Sequence, residues 1–174
     1  FAQHILPNQT HMLNVAFQVD DLRREWGGCA GNMAYNLKAL GGHPVIMATI
    51  GQDGEPYRAR IESWGIDTTY LRTIPNAYTA QAFITTDLED NQITAFHPGA
   101  MAYAHENAIT SDIGAALAIV APDGRDGMVR HLQECHAASI PVIFDPGQGL
   151  PLFSGPELLE LLPLADYLTV NDYE

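Results

Sequence analysis

Glycine is concentrated in the stretch Gly27-Gly28-Cys29-Ala30-Gly31-Asn32, which leads directly into an apolar pattern at Met33, Leu37 and Leu40. These apolar residues lie three and four positions apart, which predicts a helix that ends at Gly41-Gly42. A nearly continuous apolar run follows at 45–50, and such a run is typical of a strand buried on both faces of a parallel sheet. A helix followed by a buried strand favours the α/β class of folds.

The rest of the chain alternates between predicted strands and helices. A second buried strand is predicted at 116–120, further strands at 141–145 and 167–170, and helices around 57–64, 128–135 and 158–162. A hairpin rich in Thr, Ile and Phe is predicted at 79–97, and a short strand at 12–17. This order predicts a doubly wound, mostly parallel sheet flanked by helices, with the early β segments as a small appended sheet.

Three of the predicted strands end in polar or glycine-rich residues. They are Gly51-Gln52-Asp53, Asp145-Pro146-Gly147 and the terminal Asn171 to Glu174. Ligands of open parallel sheets bind beyond the carboxyl ends of the strands, so these residues are candidates for a binding site. Ordinary turn chemistry explains each of the three segments equally well when it is taken alone.

Composition limits the classes of partner. The chain has 174 residues and a formal net charge of −13, so its mean field repels nucleic acids and anionic membrane surfaces. No apolar run is long enough to cross a bilayer. The two cysteines form neither a disulfide framework nor a C-x-x-C pair, which favours a reducing cytoplasm. The negative net charge does not exclude a small phosphorylated ligand, because backbone N–H groups and a divalent cation can hold phosphate.

The glycine stretch does not match the common nucleotide motifs. A dinucleotide fingerprint requires glycine where Cys29 and Asn32 stand, and a P-loop requires a Lys-Ser or Lys-Thr pair that the chain lacks. Two interpretations remain open. The stretch is either a bare turn that holds a polyhydroxylated ligand with the help of Asn32, or a structural turn in which Asn32 caps the helix.

The pattern Gly27-Gly28-x-x-x-Asn32-x-Ala34-x-x-Leu37-x-x-Leu40-Gly41 resembles the first signature of the ribokinase-like (PfkB) family of carbohydrate and nucleoside kinases. Further segments recur in the order of that family, namely Ile50-Gly51-Gln52-Asp53-Gly54, His97-Pro98-Gly99-Ala100, Phe144-Asp145-Pro146 and Asn171-x-x-Glu174. The resemblance extends over almost the whole chain. It implies a partial ribokinase-like kinase domain over residues 1–174, with lid segments at about 5–24 and 71–97.

The resemblance also implies roles for individual residues. Gly27, Gly28 and Asn32 are expected to contact sugar hydroxyls, and Gln81 and Phe83 to close over a nucleoside. Asn171 and Glu174 are expected to help hold Mg²⁺ beside the phosphates of ATP.

The segments at 80–87 and 91–100 look most like those of bacterial adenosine and nucleoside kinases, so the implied reaction is ATP-dependent phosphorylation of a nucleoside, adenosine above others. Cys29 stands where ribokinases usually carry Lys, which weakens ribose as the substrate. The alternatives are a sugar kinase of the ribose or fructose class and a non-catalytic ligand-binding domain.

The second signature of the family, Gly-Ala-Gly-Asp, does not occur in this sequence. We therefore expect the chain to be an N-terminal portion of a kinase, with the catalytic Asp beyond Glu174 and no turnover by this portion alone. In this family a lid sheet can pair between subunits, so a homodimer through the lid is also expected.

Overall fold

The computed structural model describes residues 18–172 and 174. These residues fall into two compact units, one made of residues 18–26 with Ala82–His97 and the other of Gly27–Gln81 with Pro98–Glu174. The strand predicted at 12–17 and most of the predicted lid segment 5–24 lie outside the described residues.

The first half of the larger unit is a pair of parallel strands with two helices. Helix α1 spans Cys29–Ala39, strand β1 Ala48–Gly51, helix α2 Glu55–Ser63 and strand β2 Leu71–Ile74. The strands pair in parallel from Ala48 opposite Leu71 to Gly51 opposite Ile74. Their apolar side chains meet those of the helices in one core cluster, made of Ala34, Ile46, Ile50, Ile61, Ile66 and Leu71.

The smaller unit contains a two-stranded hairpin. Strand β3 spans Gln81–Thr86, whose first residue belongs to the larger unit, and strand β4 spans Gln92–His97. The turn is closed by Asp87, whose Oδ1 accepts hydrogen bonds from the N–H groups of Glu89 and Asn91, each at 3.0 Å. Asp90 takes a φ of 62°, a left-handed conformation that Asp tolerates better than most residues.

The second half of the larger unit is a three-stranded parallel sheet. Strands β5 (Ala118–Val120), β6 (Val142–Phe144) and β7 (Tyr167–Leu168) lie in that order, and helices α3 (Arg125–Ala137) and α4 (Gly155–Leu161) follow β5 and β6 in the chain. Three short 3-10 helices, Ser111–Ile113, Gly147–Leu152 and Leu162–Leu164, complete the connections. The core here is formed by Met128, Leu132 and Cys135 of α3 against Val142 and Phe144 of β6.

A buried polar bridge connects the two halves. It lies at the end of a 3-10 helix, Gly99–Glu106, which packs beside both β1 and α3. The side-chain amide of Asn107 donates to the carbonyl oxygen of Ala48 at 3.0 Å, and Nε2 of His131 lies 3.4 Å from the carbonyl oxygen of Asn107. Both side chains are buried, so each contact satisfies polar groups that water cannot reach.

The α/β class with parallel strands and flanking helices is confirmed, as are the hairpin and the helices α2, α3 and α4. Strand β2 and the 3-10 helix Gly99–Glu106 were not predicted. Of the predicted lid segment 71–97, Ala82–His97 forms the hairpin unit, whereas Leu71–Ile74 is the parallel partner of β1. None of the helices in the described part of the chain is long and apolar enough to cross a bilayer.

Burial of His131 predicts a pH dependence of stability. Burial lowers the pKa of His131, so the folded state keeps the ring neutral at pH values where the unfolded chain, with a pKa of about 6.5, already binds a proton. We therefore expect the free energy of unfolding to fall as the pH drops below about 6.5 and to level off below the folded pKa.

Urea unfolding of the protein between pH 5 and pH 8 measures this contribution as the difference between wild type and His131→Gln. The exposed His136 of the same helix provides the control, since His136→Gln retains the contribution of His131. If the free energies of unfolding of wild type and His131→Gln changed in parallel with pH, His131 would not be the source of the pH dependence.

Candidate functional site

The glycine stretch forms the beginning of helix α1. Gly28 is the N-cap residue with φ 102° and ψ 134°, a conformation that side chains of L-residues rarely adopt, and the helix begins at Cys29. The N–H of Asn32 donates to the carbonyl oxygen of Gly28 at 3.0 Å, so Asn32 lies inside the helix and is not its cap. Gly27, Gly28 and Asn32 are all exposed, which leaves the helix start open to a ligand.

Tyr57 of α2 holds this helix start in place. Its hydroxyl donates to the carbonyl oxygen of Gly27 at 3.0 Å, while its ring packs against the core cluster. Gly31 is buried directly beneath that hydroxyl, and a Cβ added at residue 31 would overlap the Tyr57 oxygen and lie 3.1 Å from Cζ. The hydroxyl of Tyr57 and the missing side chain of Gly31 therefore fix the position of Gly27 together.

Acidic residues follow the carboxyl ends of strands β5 and β6 and lie close to this helix start. Burial raises the pKa of the Cys29 thiol, and the negative charges of Asp145 and Asp123 raise it further. An electrostatic effect of this kind requires both carboxylates to lie within electrostatic range of the first residue of α1. The structure thus brings the glycine stretch, the polar end of β6 at Asp145 and the further acid Asp123 into one region of the larger unit.

The two acids themselves are unusually basic carboxyl groups. Burial raises the pKa of Asp123 to about 6, opposed by a hydrogen bond of 2.8 Å from the Gly124 N–H to Oδ1. Burial and then the charge of Glu174 raise the pKa of Asp145, opposed by the Gly147 N–H. A carboxyl group with a pKa near 6 is partly protonated close to neutral pH, so Asp123 can also donate a hydrogen bond to a ligand.

Asn171 and Glu174 form a reciprocal cap after β7. The Glu174 N–H donates to Oδ1 of Asn171 at 2.9 Å, and the Asn171 N–H donates to Oε2 of Glu174 at 3.1 Å. This is the geometry of a capping box, in which each side chain accepts from the other residue's backbone. The predicted pair is thereby held together, with Glu174 near enough to Asp145 to influence its pKa.

Oxygen donors of this kind fit Mg²⁺, which commonly keeps several waters and takes one or two protein carboxylates together with substrate phosphates. In residues 18–172 and 174, no group of three or more His, Cys, Asp or Glu side chains could hold a metal ion by itself. Asn171 and Glu174 would therefore supply part of a coordination shell, directly or through water, and phosphate oxygens the rest.

The remaining predicted site residues lie elsewhere. Gln81 donates from Nε2 to Oδ2 of Asp53 at 3.3 Å, so it is held at the end of β1. Phe83 lies in the hairpin unit and is 62% exposed. Its role over a substrate stays a prediction.

The sequence patterns do not point to three residues of this region. Asp123 follows a predicted strand as Asp145 does, but it lies outside the three polar strand ends named above. Tyr57 falls in the helix predicted around 57–64, and its hydroxyl reaches Gly27 across 30 positions of the chain. Gly31 belongs to the glycine stretch, in which the motif gives it no separate role. The strand-end position could have identified Asp123, whereas no local pattern signals the other two.

The fold and this region define an α/β protein in which a glycine-initiated helix meets acidic strand ends of a parallel sheet. The family model described as pfkB family carbohydrate kinase matches residues 3–174. The chain belongs to the pfkB family of carbohydrate kinases, as the glycine signature indicated.

Similar proteins include nucleoside kinases. A nucleoside kinase of Methanocaldococcus jannaschii is 27% identical over 163 residues, which cover 92% of this chain and 53% of that protein. The structure of Burkholderia thailandensis nucleoside kinase in complex with inosine matches with a TM-score of 0.86 and 53% identity, over 91% of this chain and 54% of that one. The same kinase with ADP-inosine gives a TM-score of 0.82 over 98% of this chain. The chain thus spans about half the length of these relatives.

Substitution of Gly31 tests the helix start. We expect Gly31→Ala to lower the free energy of unfolding by about 1–3 kcal/mol, because the added methyl group overlaps the Tyr57 hydroxyl. In the Tyr57→Phe background the same substitution should have a smaller effect, since the overlapping oxygen is gone.

Urea unfolding of wild type, both single variants and the double variant measures this coupling. Gly27→Ala is the matched control, because a Cβ at residue 27 meets no atom within 4 Å. Equal effects of Gly31→Ala in the two backgrounds would show that the two residues do not act together.

Asp123 predicts a second pH dependence, opposite in sign to that of His131. Since the folded pKa of about 6 lies above the unfolded pKa, ionisation of Asp123 favours unfolding as the pH rises from about 4 to 6. We expect Asp123→Asn to raise the free energy of unfolding at pH 7.5 by about 1–3 kcal/mol, and to lose this advantage near pH 4.

The exposed Asp126 in the first turn of α3 is the matched control. Asp126→Asn should bring a loss of up to about 1 kcal/mol rather than a gain, because an exposed acid at a helix N-terminus is favourable. A destabilising effect of Asp123→Asn at pH 7.5 would contradict the burial of an unfavourable charge.

Proposed function

We propose that the protein carrying this chain transfers the γ-phosphoryl group of ATP to the 5′-hydroxyl of a nucleoside, adenosine in particular. One observation carries the proposal: an exposed, glycine-initiated helix start beside acidic strand ends, in a chain that is 53% identical to a nucleoside kinase described with inosine. Vicinal hydroxyls of ribose need several donors and acceptors in a small space, and backbone groups at Gly27 and Gly28 with the Asn32 amide supply both kinds.

In this proposal the residues of the chain act mainly by positioning. Tyr57 and Gly31 hold the helix start, so that Gly27, Gly28 and Asn32 meet the ribose in one fixed arrangement. Asn171 and Glu174 hold each other at the end of β7, where they would steer a cation. Mg²⁺, when bound, neutralises phosphate charge that the acidic strand ends would otherwise repel.

Two further proposals concern the oligomeric state and the location of the proposed kinase. Strands β3 and β4 leave Phe83, Ile84, Ile93 and Phe96 exposed, which supports a homodimer through the hairpin. Cys29 and Cys135 are both free thiols, which supports a cytoplasmic location.

The kinase activity is tested with the intact protein that carries this chain. We expect ATP-dependent phosphorylation of adenosine or inosine, thermal stabilisation by nucleosides, and no stabilisation by free ribose or fructose. Stabilisation by the free sugars alone would favour a sugar kinase. Residues 1–174 expressed alone should give no turnover, since the family's second signature is absent from them.

Asn32→Ala tests the ribose contact. Loss of a hydrogen-bond partner that the bound nucleoside would cover should weaken nucleoside binding by about 1–3 kcal/mol and leave the KM for ATP unchanged. The matched control is Asn36→Ala, one turn further along α1, whose amide donates to the Asn32 carbonyl oxygen at 2.8 Å. Unchanged nucleoside affinity in Asn32→Ala would favour a ligand-binding role elsewhere on the surface.

A further inference from the structure

Asp53 is the centre of a hydrogen-bond cluster at the end of β1. Its Oδ1 accepts from the N–H of Thr79 at 2.7 Å and from the Thr79 hydroxyl at 2.8 Å, and its Oδ2 accepts from Nε2 of Gln81 at 3.3 Å. The Thr79 hydroxyl oxygen in turn accepts from the N–H of Gly51 at 3.0 Å. Thr79, two residues before the hairpin, and Gln81, the first residue of β3, are thus bound to the loop after β1.

Backbone hydrogen bonds hold the chain to the larger unit both before and after the hairpin. The N–H of Gln52 donates to the carbonyl oxygen of Ala77 at 2.9 Å, and a Cβ at Gly51 would overlap that same carbonyl group. After the hairpin, the N–H of Ala100 donates to the Tyr78 carbonyl oxygen at 2.8 Å, and Thr49 of β1 donates from Oγ1 to the Ala100 carbonyl oxygen at 2.8 Å. The chain therefore leaves and rejoins the larger unit at fixed points.

The chemistry of Asp53 also decides how Gln81 is oriented. Oδ2 of Asp53 accepts from Nε2 of Gln81, so the nitrogen end of the side-chain amide faces the carboxylate. The carbonyl oxygen of Gln81 is then turned away from Asp53. A ligand that meets this oxygen must offer a donor, such as a hydroxyl or amino group.

We propose that Asp53 is a positioning residue of the nucleoside site, which fixes Gln81 so that its carbonyl oxygen accepts a hydrogen bond from a hydroxyl or amino group of the substrate. This inference rests on the proposed nucleoside kinase function and adds to it a residue that acts through Gln81. Thr79 supplies the second support, because its N–H and hydroxyl hold the carboxylate in place.

Steady-state kinetics of the intact protein test the proposal. Asp53→Asn has nearly the same shape but lets the Gln81 amide face either way, so we expect the KM for the nucleoside to rise about tenfold. The kcat and the KM for ATP should stay within about twofold of wild type. Asp67→Asn is the matched control: Asp67 Oδ1 accepts from the N–H and hydroxyl of Thr69 at 2.9 and 2.6 Å, away from Gln81.

A double-mutant cycle separates positioning from general stability. In the Gln81→Ala background, Asp53→Asn should change the nucleoside KM by less than about twofold, because the group through which it acts is gone. An equal rise in both backgrounds, or a loss of thermal stability with the nucleoside KM unchanged, would overturn the proposal.

Hydrogen exchange distinguishes failure of this inference from failure of the proposed function. Asp53→Asn should accelerate exchange of the Thr79 amide, and Asp67→Asn should not. Unchanged exchange of that amide overturns the role of Asp53 even in an active nucleoside kinase. A wild-type protein that phosphorylates no nucleoside overturns the proposed function and, with it, the assignment of Asp53 to a nucleoside site.

Discussion

Burial of the apolar face of α3 against β5 and β6 is the constraint on which the rest of the second half depends. Met128 and Leu132 of the helix and Val142 and Phe144 of the strand are fully buried, and each such side chain contributes about 1.5–3 kcal/mol. This packing fixes the direction of the strands, and it thereby fixes the positions of the residues that follow their carboxyl ends. Burial raises the pKa values of Asp123 and Asp145, because it disfavours their charged forms. The packing of the core offsets the cost of holding these two carboxyl groups in a partly buried region.

The sequence predicted elements well where a pattern is local and poorly where it is not. The apolar spacing of Met128, Leu132 and Cys135 predicts α3 because one face of that helix is buried. The buried ends of strand β2, Leu71 and Ile74, flank two exposed residues. Strand β2 was not predicted because this pattern neither alternates nor forms a continuous apolar run. Pairing with β1 makes it a strand, and that pairing is set by residues about 23 positions earlier in the chain.

The candidate site shows the same division between local and long-range information. Motif spacing indicated Gly27, Gly28 and Asn32 as candidate site residues, but it left open whether Asn32 caps the helix. The positive φ of Gly28 decides this, because it starts the helix four residues earlier. The N-x-x-E motif illustrates the converse case: its spacing suits both a capping box and a cation site. Each carboxylate oxygen carries two lone pairs, so the observed cap and a bound cation are compatible uses of Glu174.

Charge is the remaining constraint on any nucleotide chemistry at this end of the sheet. A triphosphate that approaches Asp123, Asp145 and Glu174 meets like charge in a partly buried region, where Coulomb repulsion is stronger than in water. Cys29, where the family's ribokinases usually carry Lys, contributes no positive charge to offset it. In the proposed kinase, phosphate binding would therefore depend on backbone N–H groups, on a divalent cation and on protonation of Asp123, whose pKa is raised to about 6. The same arrangement of acidic strand ends would then make the proposed activity depend on both the cation and the pH.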